Sequence, residues 1–191
     1  LLSRAYNYSG AKAVLEKVTV KNNTVSGGGG AGILVTAESR NALATGEAKE
    51  LLIEGNTVDD NAVGIHLRTC GNSLCTSGPV GSATVDATVQ SNTVLNSGTG
   101  IPGHGIFVEA DGNDIILNNV HDNAGSGIRI GGDNNQILNN SAAFNGVDGI
   151  HLEAGADGNL LSHNEADHNT GDGIHVTDGV NALVGNNAHH N

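Results

Sequence analysis

The chain has no methionine and no tryptophan, and only two phenylalanines, two tyrosines and two prolines in 191 residues. That excludes a conventional mixed core built around large rings and flexible thioethers. Basic residues are also few: eight Lys and Arg against twenty Asp and Glu leave a net charge of −12. The basic footprint that phosphate backbones require is missing, so no nucleic-acid partner is expected. Broad attraction to a polyanion is disfavoured too, although a local basic patch still permits it. No run of about 18 apolar residues is present, so no membrane insertion is expected. Cysteine is limited to Cys70 and Cys75 in LRTCGNSLCTSG. Such a pair either staples a small loop in an oxidising compartment or stays as two thiols, and zinc would need two further ligands nearby.

What the sequence does have is glycine, asparagine and a period. The segments NDIILNNVHDN, NQILNNSAAFN, NLLSHNEADHN and NALVGNNAHHN begin at Asn113, Asn135, Asn159 and Asn181, spaced 22, 24 and 22 residues apart. Each carries Asn at its first, sixth and eleventh positions. Between them stands a Gly-Ile-x-aliphatic step: Gly127-Ile128-Arg129-Ile130, Gly149-Ile150-His151-Leu152 and Gly173-Ile174-His175-Val176. Earlier coils keep the frame in weaker form from Val18 onward, with an aliphatic residue in place of the first Asn. A fixed period in the twenties identifies a solenoid. The regular aliphatic positions argue against disorder, which lacks a repeating apolar face.

Alternation within each step, as in Ile128 and Ile130, is the period of a strand with one buried face. Three short strands per coil, with Asn or Gly at the corners, predict an all-β chain wound into a parallel β-helix of about seven coils. Residues 1–17 are least regular and are expected to form a partial coil or connector; residues 18–191 form the repeats, a piece of a longer solenoid. Three insertions, at residues 36–50, 68–83 and 97–105, break the period and are expected to emerge as loops that wall one face.

The N-x-[ILV]-x-x-N-x-[VA]-x-x-N…GI-x-[ILV] frame resembles the right-handed parallel β-helix repeat. That family includes pectate and alginate lyases, mannuronan C5-epimerases and periplasmic copper-pathway proteins of the NosD type. The resemblance covers residues 18–191 and implies the fold, since frame residues are shared by enzymes and non-enzymes alike. A Tyr-Gly-x-Asp-Pro-His run of the epimerase kind is not found: Pro79 lies in SGPVG and Pro102 in GIPGHG.

Coils stacked in register turn equivalent positions into columns. The outward residue between the two aliphatics of each Gly-Ile strand gives Leu34, His66, Phe107, Arg129, His151 and His175. The next outward position gives Thr36, Arg68, Glu109, Gly131, Glu153 and Thr177; the residue before the Gly gives Ala31, Val63, His104, Ser126, Asp148 and Asp172. A groove with these side chains suits an extended uronate-containing polysaccharide. Lyase or C5-epimerase chemistry needs a cation at the substrate carboxylate and a base at the C5 proton. Arg129 is the candidate cation and His151 the candidate base, with His175 or Asp172 as acid or orienter. His66, Arg68, Phe107, Glu109, Glu153 and Asp148 are candidate substrate contacts. Asp148, Glu153 and Asp172 could alternatively hold Ca²⁺ through oxygen.

A second His- and Asp-rich cluster lies at the corners: His121-Asp122, His163, Asp167-His168 and His189-His190. It has no fixed ligand spacing, and adjacent side chains diverge on an extended chain, so no metal site is assigned there. The expected setting is secreted, periplasmic or cell-surface. Two other readings stand beside the enzyme: a structural or adhesin-like repeat module, and metal handling of the NosD type.

Overall fold

A computed structural model describes residues 1–5, 11–71, 81–98 and 103–191. Their regular structure is entirely strand, in three parallel sheets of seven, seven and eight strands. One turn of the chain shows the plan: Ile128–Ile130, then Gln136–Leu138, then Ser141–Ala143, then Ile150–Leu152 directly beneath the first. Each strand pairs with its equivalent one coil away, which makes a parallel β-helix. We refer to the Gly-Ile sheet, the second sheet and the third sheet in that chain order.

The winding follows from side-chain alternation. On the Gly-Ile sheet Ile65, Leu67, Ile106, Val108, Ile128, Ile130, Ile150 and Leu152 point inward and are fully buried; on the second sheet Ile53, Val89, Ile115, Ile137 and Leu161 do the same. The third sheet uses smaller residues, Val58, Val94, Val120, Ala142 and Ala166, which narrows that side of the core. Burying each large aliphatic contributes roughly 1.5–3 kcal/mol. Glycine precedes the Gly-Ile strand because space is lacking: a Cβ on Gly127 would stand 2.6 Å from Asn145 Nδ2 and 2.8 Å from the Gly149 carbonyl.

The repeating asparagines form buried ladders. The backbone N–H of Asn118 donates to Oδ1 of Asn140 at 2.9 Å, and that of Asn140 to Oδ1 of Asn164 at 2.9 Å. Along this ladder the side-chain amides turn back to core carbonyls, as Asn118 Nδ2 does to Val89 at 2.9 Å, Asn140 Nδ2 to Ile115 at 2.8 Å and Asn164 Nδ2 to Ile137 at 2.7 Å. The ladders therefore satisfy backbone groups that the bends leave without a strand partner. The left-handed corner residue is the one before the ladder Asn, and it is not confined to Asn or Gly. Leu117, Asn139 and His163 occupy one such corner with φ of 54–56°.

The first insertion behaves differently from expectation. Residues 36–50 do not leave the solenoid as a loop: Ala31–Ser39 and Thr45–Glu54 are long strands joined by a short turn. They stack on Val63–Cys70 and Ser82–Gln90, with Glu38 opposite Cys70 and Gly46 opposite Ala83. Leu2–Ala5 and Lys12–Glu16 cover the other side. The early coils thus carry a lateral extension that widens the Gly-Ile sheet. Its interior is made of small side chains, Ala37, Ser39, Ala44 and Ala48, and of Glu38, which is buried and paired with Arg40. Cys70 is buried there in a disulfide; the chain's other cysteine, Cys75, lies outside the described residues. The middle of the second insertion and the tip of the third also lie outside them.

Candidate functional site

The predicted outward column exists. Leu34, His66, Phe107, Arg129, His151 and His175 are register partners on successive strands of the Gly-Ile sheet. The second column stands beside it and braces it diagonally, Glu109, Glu153 and Thr177 each reaching back to the coil before. His66 Nε2 meets Glu109 Oε2 at 2.6 Å, Arg129 Nε bonds Glu153, and His151 Nε2 meets Thr177 Oγ1 at 3.2 Å. Arg68 donates from Nε to Thr36 Oγ1 at 3.2 Å.

Most of the third column is turned away from the open face, Asp172 of the last such coil being exposed. His104, Ser126 and Asp148 are 3%, 1% and 5% exposed. They sit where the chain bends into the Gly-Ile strand, so they support the face from below. Asp148 is therefore corrected from an open substrate contact to a buried partner of the face.

Two clusters result. In the first, Phe107 is the centre: the His66 ring stacks on it at 4.8 Å, His104 tilts against it at 5.4 Å, and the Arg129 guanidinium lies 5.6 Å from its centroid. The hydrogen bond from His66 holds the Glu109 carboxyl below its ordinary range. His104 was placed in a column by the sequence and given no role, yet it anchors this cluster. Its Nδ1 faces the Ser126 N–H at 3.1 Å and its Nε2 faces Arg129 Nη1 at 2.9 Å. Burial, and after it the Arg129 charge, push its pKa down to about 4. A neutral imidazole has a single acceptor nitrogen, so only one of these two donors is satisfied at a time.

The second cluster is built on Asp148. Its Oδ2 is 2.9 Å from His151 Nδ1 and 3.8 Å from His175 Nδ1, while its Oδ1 accepts the Asp172 N–H at 2.8 Å. The His151 and His175 rings stack in parallel, 4.6 Å apart at 4°. Asp172 Oδ2 lies 3.2 Å from His175 Nδ1. A carboxylate only accepts, so Nδ1 of His151 carries a hydrogen, and in the neutral ring the lone pair is on Nε2. Arg129 and His151 are thus adjacent in register and belong to different clusters.

The carboxylates considered for Ca²⁺ do not form an oxygen shell. Glu153 is bonded to Arg129, and nitrogen stands against both Asp148 and Asp172. Ca²⁺ takes six to eight oxygens, and this donor set does not fit it. At the corners of the third sheet, adjacent residues converge instead of diverging: His121 Nδ1 lies 2.7 Å from Asp122 Oδ2. Asp122 has φ of 57°, which folds its side chain back beside that of His121.

No curated protein matches the sequence. Among solved structures, the chain is similar to a double mutant of the periplasmic alginate epimerase AlgG, with 21% identity and a TM-score of 0.60 over 93% of this chain. The match covers 55% of that protein, so the chain spans about half the length of its structural relative. At that identity the likeness speaks for fold. The family model described as the right-handed beta helix region matches residues 80–191, more than half of the chain. The repeat frame, the three parallel sheets and this match agree, and the chain belongs to the right-handed β-helix family.

Proposed function

We propose that the Gly-Ile face binds a uronate-containing polysaccharide and removes the proton at C5 of a uronate residue. The observation that carries this reading is the Asp148–His151 pair standing one coil from Arg129 in register. Asp148 fixes the imidazole tautomer so that Nε2 is the base. The C5–H bond breaks, the proton passes to Nε2, and the electron pair is delocalised into the uronate carboxylate. Arg129 balances that developing charge once the substrate carboxylate replaces one of its present contacts, and His104, able to satisfy one donor only, is the contact most easily given up. Breaking of the C4–O bond, with the leaving oxygen protonated from solvent and a C4=C5 double bond formed, then gives a lyase, and return of a solvent proton to the opposite face of C5 gives a C5-epimerase. Phe107 and His66 offer a stacking surface along the same column. The epimerase named in the structural match acts on alginate, a polymer of this class. An exported setting (secreted, periplasmic or cell-surface) goes with this reading and with the disulfide at Cys70.

The test is incubation with alginate, polymannuronate and pectate, with added Ca²⁺ and with chelator. Unsaturated ends are followed by ultraviolet absorbance, and C5 exchange or inversion by NMR in D₂O. Arg129→Ala and His151→Ala are each expected to lower turnover by about 10²–10⁴-fold with an unchanged circular dichroism spectrum. No product, no exchange and no binding by the native chain would overturn the proposal.

One observation favours a second reading, a structural or interaction module. His66, Arg129 and His151 already have partners on the face. Such a module would keep all its binding behaviour when Arg129 and His151 are replaced.

A further inference from the structure

The third sheet ends each coil on a pair of residues that the fold forces together. Its outward column runs through His121, Ala143, Asp167 and His189 in register. The residue following each is left-handed, with φ of 57°, 55°, 52° and 53° at Asp122, Phe144, His168 and His190. Neighbours on a straight strand point to opposite sides; here the corner brings the second side chain back beside the first.

In the coils of Glu165–Asp167 and Asn187–His189 the pairs merge into one cluster. Asp167 Oδ1 lies 2.7 Å from His189 Nδ1 and 3.2 Å from His190 Nδ1, and the two Nδ1 atoms are 2.8 Å apart. Three ligand atoms therefore outline a small triangle. Metal–ligand bonds of about 2.0–2.2 Å set at right angles need edges of about 3 Å, so the triangle fits one face of a coordination sphere. Behind it, His189 Nε2 faces Glu165 Oε1 at 3.5 Å, the carboxylate support that commonly orients a metal-binding imidazole. His168 Nδ1 lies 2.7 Å from the same Asp167 oxygen, and its ring stacks on His190 with centroids 4.9 Å apart. Two imidazole nitrogens at 2.8 Å share at most one N–H···N bond, whereas a cation between them satisfies both and the carboxylate.

We infer that Asp167, His189 and His190 bind a divalent first-row transition ion of the zinc, nickel or copper class, at a corner of the third sheet. Imidazole nitrogen selects these ions over calcium and magnesium. Asp148, His151 and His175 also bring three ligand atoms within 4.8 Å of one another, but their contacts to Asp148 are looser, at 2.9 and 3.8 Å. The experiment therefore has to separate the two.

The full chain, stripped with chelator, is titrated with Zn²⁺ and with Ni²⁺ by calorimetry, and bound metal is measured after desalting. One equivalent is expected, with affinity lowered at least tenfold in Asp167→Asn and His189→Ala and unchanged in His175→Ala. His190→Ala removes an exposed ring, 68% accessible at its side chain, and gives the same loss without threatening the fold. The inference is overturned if the native chain retains neither metal, if binding survives the corner substitutions, or if it is lost with His175→Ala instead.

Discussion

The coils up to residue 98 and those after residue 112 build the solenoid by different means. The later coils are narrow and repetitive: three-residue strands, aliphatic residues inward, and Asn ladders at the bends. The earlier coils carry strands of eight to ten residues and a lateral extension. That extension has its own small-residue interior, a buried Glu38–Arg40 pair and the Cys70 disulfide. A regular coil spreads its stability over identical neighbour contacts, whereas the extension concentrates it in a few singular ones. The Gly-Ile sheet is common to both, and the His66–His175 column crosses from one regime to the other. The proposed site thus lies on a sheet that runs through both regions.

The largest effect that would break this comparison is expected at Arg40. Glu38 is 1% exposed, and Arg40 is its ion-pair partner. Arg40→Ala removes a charged partner of a buried carboxylate, a lesion worth up to about 3–5 kcal/mol. Because coils interact chiefly with neighbours, the loss should stay local. Hydrogen exchange is expected to rise in residues 31–54 while residues 135–169 remain protected, and adding Glu38→Gln should recover part of the loss. Uniform deprotection of the whole chain would show that the two regions form one cooperative unit.

The complementary lesion lies in the ladder. Asn140→Ala removes the acceptor of the Asn118 N–H and the donor to the Ile115 carbonyl, both buried. Leaving such groups unpaired costs roughly 1–3 kcal/mol each, so at least about 2 kcal/mol should be lost by denaturant unfolding. Asn23 has the same place in an earlier coil but is exposed, and Asn23→Ala should change stability by no more than about 0.5 kcal/mol. Equal costs at the two positions would mean that the ladder acts as a whole and not rung by rung.

How much of this was written in the sequence differs between the two regions in the same way. The later coils were legible because Asn113, Asn118 and Asn123 recur with the Gly-Ile step, so their register, and with it the Arg129–His151–His175 column, could be read off. The extension was not. Its buried positions are Ala37, Ser39, Gly46 and Ala48, small residues whose alternation carries almost no hydrophobic contrast, and a loop was the natural reading. The burial of His104 and Asp148 was hidden for another reason: the residue before the Gly looks outward by simple alternation, while the bend turns it in. The converging pair His189–His190 was misread because sequence spacing does not show that His190 is left-handed.

The smallest effect follows from His104, which lies where the two regions meet. Its pKa is held down to about 4 from an ordinary 6.5, by burial first and then by Arg129. Above pH 6.5 the imidazole is neutral folded or unfolded, and its contribution is fully kept. Between 6.5 and 4 the unfolded chain binds a proton that the folded chain refuses, so stability falls as pH falls; below 4 the loss is complete. At 1.36 kcal/mol per unit the ceiling is about 3 kcal/mol, and partial solvent reach brings the expected loss to on the order of 1–2 kcal/mol. Denaturant midpoints measured from pH 7.5 to pH 4 should therefore drop more steeply for the native chain than for His104→Gln, which cannot take up the proton. Groups that do not face His104 are common to both proteins and drop out of the difference. Parallel curves would show that the His104 proton is not what ties the Phe107–Arg129 cluster to acid sensitivity, and the wide and narrow coils would then share no titrating joint at that position.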